Sequence, residues 1–436
     1  MSGKKILLGQ TLGFKAEPFE ESFDNATDYN SDGGLYIVDG LIADMGNRSD
    51  LLSKYPEVPT FDYRDCILTA GLIDTHAHYP QTRIIASWGA RLIEWLNTYT
   101  FPEEEKFGDS EYASQTAGFY LDTLLQNGVT SVSSFCTIHP ESVDAIFEGA
   151  EQRGMRIIAG KTCMDRNAPP RLLDTPISAY DDSRELIARW HEKGRLSYAI
   201  SPRFAPTSTA EQLEAMGSLW KEYPDCLMQT HLSEQLEEIS WVGELFPNSK
   251  DYLEVYEHFN LLGDRGLYGH GIHLSDSELD RIKEADGRLI HCPTSNLFIG
   301  SGLFRLWERK TAGFHTGLAT DTGGGSSFSM FRVMASAYEV SQLCGYSLHP
   351  SQLYWLSTVG NAKSLHLENT IGNLQPGMEA DIIALDLYST EVISQRAKRS
   401  DNIWDALFPT IMMGNEKAIK DVWVYGEKVN THNSSQ

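Results

Sequence analysis

Four short segments of the sequence carry histidine and carboxylate side chains of the kinds that bind metal ions. They are His76-Ala77-His78, His231-Leu232-Ser233-Glu234, His270-Gly271 and Thr320-Asp321. Each segment ends a short apolar run that is typical of a β-strand. In an extended strand, residues i and i+2 lie on the same face, so His76 and His78 would direct two imidazoles at one point. Three imidazoles and a carboxylate suit Zn²⁺ and, equally, Fe²⁺.

A metal site of this kind favours hydrolysis. Water bound to zinc in such a site has a pKa of about 7, so hydroxide is available at neutral pH. A hydrolase also needs a group that moves protons, and Glu234 lies three residues after His231 with a side chain long enough to do so. A single histidine at a strand end usually packs or forms a hydrogen bond. The combination of segments, by contrast, predicts a metal-dependent hydrolase.

Two further motifs resemble known functional sites but lack a required partner. His139-Pro140-Glu141 matches the H-x-E of one class of zinc deaminases, which also needs a P-C-x-x-C element that the sequence does not contain. Gly323-Gly324-Gly325 resembles a phosphate loop, but no Lys-Ser/Thr pair follows it. We interpret these glycines as a turn next to Asp321, and the remaining histidines as packing residues.

The four segments lie within a regular alternation of strand-like and helical stretches. Eight strand candidates span residues 67–76, 128–135, 156–163, 196–204, 226–234, 266–274, 288–296 and 317–323. Helical patterns, such as those of residues 142–153 and 183–193, separate most of them. Eight βα units predict an α/β fold, a (β/α)8 TIM-like barrel. In that fold the chemistry collects at the C-terminal ends of the strands.

Both ends of the chain are rich in turn residues and short strand-like runs. Runs such as residues 34–38, 380–386 and 421–426 are bounded by glycine, aspartate or asparagine. They predict one small β-sandwich domain formed by both termini. The expected division is residues 1–66 and 373–436 for the small β-domain and residues 67–372 for the metal-dependent hydrolase barrel.

Charge and composition limit the classes of partner. The 436 residues include 36 lysines and arginines and 60 aspartates and glutamates, which gives a formal net charge of −24. An acidic chain argues against nucleic acid and anionic membranes as partners. Because we find no apolar run of about 18 residues and no secretory signal, we expect neither a membrane span nor export. The six cysteines include no C-x-x-C pair and are expected to stay reduced in the cytoplasm.

The sequence resembles the amidohydrolase superfamily over nearly the whole chain. The resemblance runs from the N-terminal β-layer, through GLIDTHAH at 71–78, to IGNLQPGMEADIIALD at 371–386 and VWVYGEKV at 422–429. It implies the same barrel with a β-domain. Members with two metals carry a carboxylated lysine at the end of strand 4, where this chain has Ile200-Ser201-Pro202-Arg203-Phe204. The absence of a lysine in this segment implies a deaminase-type site with one metal.

Within the superfamily the resemblance narrows to the guanine deaminase family. The stretches that carry it are DTHAHYPQ, IEWLNTYTFPEEEKF, GKTCMDRNAP, SPRFAPTS, THLSE, HCPTSNLFIGSGLF and ATDTGGGSSFSMF. It assigns one metal ion, Zn²⁺ or alternatively Fe²⁺, to His76, His78, His231 and Asp321. It assigns catalysis to Glu234, Asp321 and His270. It assigns substrate binding to Gln81, Arg203, Phe204, His231 and Glu234.

The reaction implied by the resemblance is hydrolytic deamination of guanine, a small purine base, to xanthine and ammonia by a metal-activated hydroxide. Arg203 only donates hydrogen bonds, so it would favour the 6-carbonyl of guanine over the 6-amino group of adenine. Phe204 would offer a stacking face. The alternatives are a deaminase or hydrolase of 8-oxoguanine, a pterin or an aminotriazine, and a metal-free, non-catalytic scaffold of the same fold. The resemblance also implies a cytoplasmic homodimer.

Overall fold

The computed structural model describes residues 3–89 and 91–429. Its β-strands are β1 Lys4–Phe14, β2 Thr27–Val38, β3 Leu41–Asn47, β4 Thr60–Ala70, β5 Leu72–His78, β6 Val129–Phe135, β7 Arg156–Gly160, β8 Thr162–Cys163, β9 Leu196–Pro202, β10 Leu227–Leu232, β11 Gly266–His270, β12 Arg288–His291, β13 Thr316–Leu318, β14 Ile382–Leu385, β15 Ile419–Val424 and β16 Glu427–Val429. Its α-helices are α1 Phe23–Ala26, α2 Arg48–Lys54, α3 Leu92–Trp95, α4 Phe101–Glu104, α5 Ser110–Gln126, α6 Pro140–Arg153, α7 Pro176–Trp190, α8 Ala210–Glu222, α9 Leu236–Leu245, α10 Tyr252–His258, α11 Asp276–Glu284, α12 Pro293–Phe298, α13 Leu306–Thr311, α14 Met330–Leu343, α15 Pro350–Trp355, α16 Asn361–Ser364, α17 Glu391–Ala397 and α18 Ile403–Met413.

Eight parallel strands form the central barrel, in the order β5-β6-β7-β9-β10-β11-β12-β13, with the short β8 beside β9. Every neighbouring pair along this path is parallel. Parallel strands need crossover connections, and helices such as α5, α6, α7, α8 and α11 provide them. The predicted (β/α)8 barrel is therefore confirmed.

Local sequence signals set the limits of the connecting helices. Helix α6 begins at Pro140, where no backbone N–H is needed, and ends before Gly154, which has φ +66°. Helix α7 begins after Thr175, whose hydroxyl accepts the N–H of Ser178 at 3.1 Å. The helical patterns predicted from the sequence form most of α6 and the second half of α7.

The first predicted strand, residues 67–76, is divided between two sheets. Residues 67–70 end β4 and pair with β1 and β14, whereas the barrel strand β5 begins at Leu72. The break lies at Gly71, where an added Cβ would come within 2.2 Å of the Thr130 hydroxyl. The sequence pattern hid the break because both halves are buried and apolar. The limits of the domains stay a prediction.

Side chains close the barrel between its first and last strands. The amide nitrogen of Asn361 donates to the carbonyl oxygens of Ile73 at 2.6 Å and of Leu318 at 2.7 Å. The amide oxygen of Asn361 accepts the N–H of Leu318 at 2.7 Å. Thr75 adds a hydroxyl hydrogen bond to the Leu318 carbonyl at 3.3 Å. The side chain of Asn361 therefore links β5 and β13 through their backbone groups, in place of the hydrogen bonds that two paired strands would form with each other.

The two ends of the chain share a seven-stranded sheet, in the order β16-β15-β14-β4-β1-β2-β3. One apolar cluster includes residues from most of these strands, among them Leu7, Leu35, Ile42, Leu68, Ile382 and Trp423. The sheet curls around this cluster, so that an added Cβ on Gly426 would lie 3.0 Å from the Cα of Gly40 in a distant turn. The predicted small β-domain built from both termini is confirmed.

A buried ion cluster joins this terminal sheet to the barrel. Arg156, the first residue of β7, donates Nε to Glu379 at 3.0 Å, and Arg195 donates to Glu379 at 2.8 Å. Arg195 also pairs with Asp381, and none of the four side chains is more than 12% exposed. Because Arg156 begins β7 and Arg195 directly precedes β9, the cluster fixes the C-terminal strands against the N-terminal face of the barrel.

The interior of the barrel is largely apolar below the strand ends. Inward residues of six strands form one layer, namely Ile73, Ile158, Ala199, Leu227, Leu267 and Ile290. Leu365 and Ile371, from the segment after α16, pack against this layer. Buried polar side chains also lie along the strands, where Gln229 on β10 hydrogen bonds with Ser133 on β6 and Ser201 on β9. Among residues 3–89 and 91–429, no helix has both the length and the apolar character that crossing a membrane requires.

Candidate functional site

The candidate site lies at the C-terminal ends of the barrel strands. His76 and His78 end β5, His231 is the penultimate residue of β10, and His270 ends β11. Asp321 follows β13. These residues come from strands that are far apart in the sequence, and the barrel brings them to one point on the face that the prediction named.

Four side chains present their ligand atoms to a common centre, with all of these atoms within 4.8 Å of one another. They are His76, His78, His231 and Asp321. His78 Nε2 lies 3.3 Å from Asp321 Oδ1, and His76 Nε2 lies 3.5 Å from the same oxygen. His78 Nε2 and His231 Nε2 are 3.1 Å apart. Two imidazole nitrogens at this distance need a proton or a cation between them. Three imidazoles and a carboxylate fit a borderline divalent cation.

The orientation of His231 is set by the main chain. Its Nδ1 lies 2.7 Å from the carbonyl oxygen of Arg203, so Nδ1–H is the donor and Nε2 keeps a free lone pair towards the cluster. Burial and the neighbouring imidazoles lower the pKa of His231 well below its usual value. Burial likewise lowers the pKa of His78 to about 4, against the opposing effect of Asp321. Both rings are therefore held in the neutral form that a metal ligand needs.

His76 is fully buried, and neither of its ring nitrogens has a hydrogen-bond partner among the described residues. Buried polar atoms are normally satisfied, so this ring is suited to a cation as its partner. Gly269 on β11 makes the room for it, because an added Cβ there would lie 2.7 Å from Cε1 of His76. The fit of the donor set thus depends on a glycine next to the ring.

His270 lies beside these four residues. Its Nδ1 is 2.9 Å from the side-chain oxygen of Asn296. Its Nε2 is 3.5 Å from Glu234 Oε2 and 3.9 Å from Asp321 Oδ2. The ring therefore faces the two carboxyl groups that were predicted to move protons.

A competing donor set includes Cys292 in addition to His76, His270 and Asp321. Burial raises the pKa of the Cys292 thiol well above its usual value, and its sulfur lies 3.7 Å from the Ile290 carbonyl. A thiol must lose its proton to bind a metal. Cys292 does not line the cavity described below, whereas His78, His231 and Asp321 do, so the set with His78 and His231 is the better candidate.

Glu234 is buried next to the cluster and is only 2% exposed. Its Oε1 accepts the hydroxyl of Ser301 at 2.8 Å. Burial, together with the charge of Asp321, raises the pKa of Glu234 to about 8. A carboxyl group with such a pKa holds a proton near neutral pH and can exchange it with a bound molecule.

Asp321 is held in a different state. Its backbone has φ +48°, which aspartate tolerates better than most residues, and its N–H donates to the His76 carbonyl at 2.9 Å. Burial opposes ionisation, but the imidazoles of His76, His78 and His270 that face the carboxylate prevail and lower the pKa of Asp321 well below its usual value. Glu234 and Asp321 thus form a pair of carboxyl groups, one protonated and one ionised.

Glu104, which the sequence analysis did not assign to the site, joins two of the predicted substrate residues. Its Oε2 accepts from Arg203 Nη1 at 2.7 Å, and its Oε1 accepts from Arg203 Nη2 at 3.1 Å and from Gln81 Nε2 at 3.0 Å. The signals in the sequence were its place in the stretch IEWLNTYTFPEEEKF and the need of a buried arginine for a carboxylate.

A cavity of about 420 Å³, including space open to solvent, reaches the cluster. Its lining residues are His78, Gln81, Leu92, Trp95, Leu96, Arg203, Phe204, His231, Glu234, His270, Ile299, Asp321 and Gly324. The lining includes all five residues predicted to bind the substrate, namely Gln81, Arg203, Phe204, His231 and Glu234. Trp95 lines the cavity, whereas Trp88 is 76% exposed. The volume and the mainly apolar wall with a few convergent polar groups are typical of a small-molecule site.

Comparison with known proteins gives this fold and site a family. Residues 67–429 match the family model described as "Amidohydrolase family". The chain belongs to the amidohydrolase family. It is 42% identical to the guanine deaminase of Escherichia coli (strain K12), over 95% of this chain and 94% of that protein.

Two solved structures are similar to this amidohydrolase over nearly its whole length. The structure of E. coli guanine deaminase matches with a TM-score of 0.96 and 41% identity, covering 98% of this chain and 100% of that chain. The structure of guanine deaminase from C. acetobutylicum, with guanine bound in the active site, matches with a TM-score of 0.89 and 30% identity, covering 98% and 100%.

Amidohydrolases are generally metal-dependent, and this one has a buried His/Asp cluster that could hold a metal ion. The structure brings together every residue that the sequence predicted for the site. The identity of the metal and the role of each residue stay predictions.

Proposed function

We propose that this amidohydrolase is a guanine deaminase, which hydrolyses guanine to xanthine and ammonia in purine catabolism. The observation that carries the proposal is that one cavity combines the metal-type donor cluster with Glu234 and Arg203. This combination occurs in a chain whose relatives over nearly the whole length are guanine deaminases.

We assign one metal ion per chain to His76, His78, His231 and Asp321. Zn²⁺ suits three imidazoles and a carboxylate, and Fe²⁺ is the alternative because it accepts the same ligands. When bound, the ion supplies Lewis acidity that makes water nucleophilic near neutral pH. Metal analysis of the purified protein decides between the two ions.

Glu234 and Asp321 move the protons in the proposed reaction. Asp321 takes a proton from the attacking water. Glu234 protonates the ring nitrogen next to the carbon that carries the amino group, which makes that carbon electrophilic. Overall, one proton of the water ends on the ring nitrogen and the other on the amine, which leaves as ammonia. His270 Nε2, 3.5 Å from Glu234, orients the water between the two carboxyl groups. Each acid–base step of this sort contributes about 10²–10⁴-fold to the rate.

Five residues contact the base in this proposal. Three of them hold it in place, namely Arg203, Gln81 and Phe204, and the other two are His231 and Glu234. The guanidinium of Arg203 only donates hydrogen bonds, so it matches the 6-oxygen of guanine and opposes a 6-amino group. Phe204, which is 4% exposed and lines the cavity, offers a flat face to the purine ring.

The experiment that tests the proposal measures ammonia release and xanthine formation from guanine with protein of known metal content. We expect about one metal ion per chain and a loss of about 10²–10⁴-fold in Glu234→Gln. Glu237→Gln is the matched control, because Glu237 is exposed three residues further along the chain. A metal-loaded protein that is inert on guanine would contradict the proposal, and 8-oxoguanine, pterin and aminotriazine substrates would then test the alternatives. Protein that binds no metal would instead favour a non-catalytic scaffold.

We also propose that the protein is a cytoplasmic homodimer. The support is the resemblance to the guanine deaminase family. Sedimentation velocity of the purified protein tests the dimer, and a single species with the mass of one chain would contradict it. Fractionation of source cells tests the location.

A further inference from the structure

The wall of the cavity near Arg203 has a second layer. Arg203 and Gln81 line the cavity, and Glu104 lies behind them with a side chain that is 1% exposed. The two terminal nitrogens of Arg203 each donate one hydrogen bond to Glu104, at 2.7 and 3.1 Å. Nη1 also contacts the Met164 sulfur at 4.0 Å. The bidentate pair holds the guanidinium in one plane and leaves Nε–H and the second N–H of Nη2 for a bound molecule.

Glu104 also determines which way the amide of Gln81 points. Gln81 Nε2 donates to Glu104 Oε1 at 3.0 Å, while Gln81 Oε1 accepts the N–H of Gly323 at 3.2 Å. A reversed amide would place its oxygen against the carboxylate and its NH₂ group against another donor. Glu104 and Gly323 therefore exclude that orientation, and one N–H and one oxygen lone pair of Gln81 remain available.

The pairing also balances the charge of the cavity wall. Arg203 is 4% exposed, and an unpaired guanidinium at that depth would strongly destabilise the fold. With Glu104 ionised, the pair is neutral as a unit and presents donors without a net positive charge. Such a wall suits a neutral heterocycle with a carbonyl oxygen better than an anion.

We infer that Glu104 is a positioning residue that aims the donors of Arg203 and Gln81 at the 6-oxygen of the base and thereby sets the preference for 6-oxopurines. The inference rests on the proposed function, and it adds a residue behind the substrate contacts. Glu104 acts through Arg203 and Gln81, so its removal should change the choice between substrates more than the deamination chemistry itself.

The experiment compares guanine with 2-aminopurine, which carries the same 2-amino group but lacks the 6-oxygen. In Glu104→Gln we expect kcat/KM for guanine to fall about tenfold or more, with a much smaller change for 2-aminopurine. Where turnover of 2-aminopurine is too slow, its competitive inhibition constant replaces kcat/KM. An unchanged guanine to 2-aminopurine ratio overturns the inference.

Glu103→Gln is the matched control on the same short helix. Glu103 is 5% exposed and accepts from Lys106 Nζ at 2.6 Å, outside the cavity lining. We expect this variant to keep the wild-type substrate ratio. The melting temperatures of both variants show whether either loses its fold. If the ratio of kcat/KM for guanine to kcat/KM for 2-aminopurine falls in Glu103→Gln as much as in Glu104→Gln, the inference is overturned.

A double-mutant cycle with Arg203→Gln separates positioning from a general structural effect. If Glu104 acts through Arg203 and Gln81, adding Glu104→Gln to Arg203→Gln lowers kcat/KM for guanine by a smaller factor than it does in the wild-type background, because only the contact with Gln81 is left to lose. If Glu104→Gln lowers kcat/KM for guanine by the same factor in the wild-type and Arg203→Gln backgrounds, the inference is overturned. Wild-type protein that is inert on guanine overturns the proposed function and this inference together, whereas active wild type with additive losses overturns the inference alone.

Discussion

The carbonyl oxygen of Arg203 lies 2.7 Å from Nδ1 of His231 and also accepts the His231 backbone N–H at 3.1 Å. A single residue therefore orients a candidate metal ligand through its main chain and lines the substrate cavity with its side chain. This arrangement follows from the adjacency of β9 and β10 in the barrel. In the proposed site, it couples the placement of the metal to the placement of the base.

Arg203→Gln should lower kcat/KM for guanine by about 10²-fold or more, because the shorter glutamine amide does not reproduce the charged, paired donors that the guanidinium offers to a carbonyl. The metal content should stay near that of the wild type, since the contact with His231 comes from the main chain. Steady-state kinetics and metal analysis on the same preparation check both parts. Loss of the metal in this variant would show that the side chain, too, supports the donor cluster.

Metal removal should destabilise the protein through the predicted ligands. A ligand at about 100 times its Kd stabilises the folded state by about 2.7 kcal/mol, so chelation should lower the melting temperature and the metal should restore it. We expect His78→Ala to abolish both the metal and this shift.

His191→Ala is the control for that experiment. His191 belongs to a second cluster with Asp225 and Cys226, but its Nδ1 accepts the Tyr198 N–H at 3.0 Å and its Nε2 faces Asp225 at 3.2 Å. Both nitrogens are thus occupied, and the variant should keep its metal. If the metal content falls in His191→Ala but not in His78→Ala, the ion binds at the cluster of His191, Asp225 and Cys226 and not at the predicted site.

Gly269→Ala should displace the His76 ring and lower metal occupancy and activity together. An added Cβ would stand 2.7 Å from the ring, closer than unbonded carbons approach. Gly46→Ala is the control, because Gly46 also lies in a strand and an added Cβ meets nothing within 4 Å. Metal titration of both variants gives the comparison, and wild-type affinity in Gly269→Ala would contradict the packing argument.

Asn361→Ala should destabilise the barrel by about 3 kcal/mol. The substitution removes three hydrogen bonds and leaves buried backbone groups of Ile73 and Leu318 without them, and each such group costs about 1–3 kcal/mol. Denaturant unfolding measures the loss. Asn25→Ala, at an exposed position, should stay within about 0.5 kcal/mol of wild type.

Glu379 should make stability depend on pH. Burial favours its protonation, but the hydrogen bond from Arg156 and the charge of Arg195 prevail and lower its pKa below the usual 4.5. A lowered pKa means that the stabilisation is present above pH 4.5 and is lost as the pH falls through the folded-state pKa. Glu379→Gln should therefore cost about 3 kcal/mol at pH 7 and progressively less in acid.

Unfolding curves between neutral and acid pH test this expectation. Glu308→Gln is the control, since Glu308 pairs with Arg305 at a side chain that is 48% exposed and should change stability little at any pH. If the difference in the free energy of unfolding between wild type and Glu379→Gln does not shrink in acid, Glu379 is not ionised in the ion cluster with Arg156 and Arg195.

The sequence by itself was sufficient to predict the barrel, the face that carries the site and the histidine and carboxylate side chains that meet there, whereas Gln81, Arg203 and Phe204 were assigned through the family resemblance. These predictions depend on short-range regularities: the period of two that places His76 and His78 on one side of a strand, and the alternation of strands and helices. Residue chemistry then limited the ligands to imidazole and carboxylate groups. None of these inferences needs a distance between remote parts of the chain.

Only the tertiary structure decided which remote groups support those residues. Glu104 meets Arg203 across 99 positions of sequence, and Asn361 meets Ile73 across 288. The break at Gly71 depends on how closely two sheets approach at Thr130. Periodicity reports which way a side chain faces along its own element, whereas its partner is set by how separate elements pack.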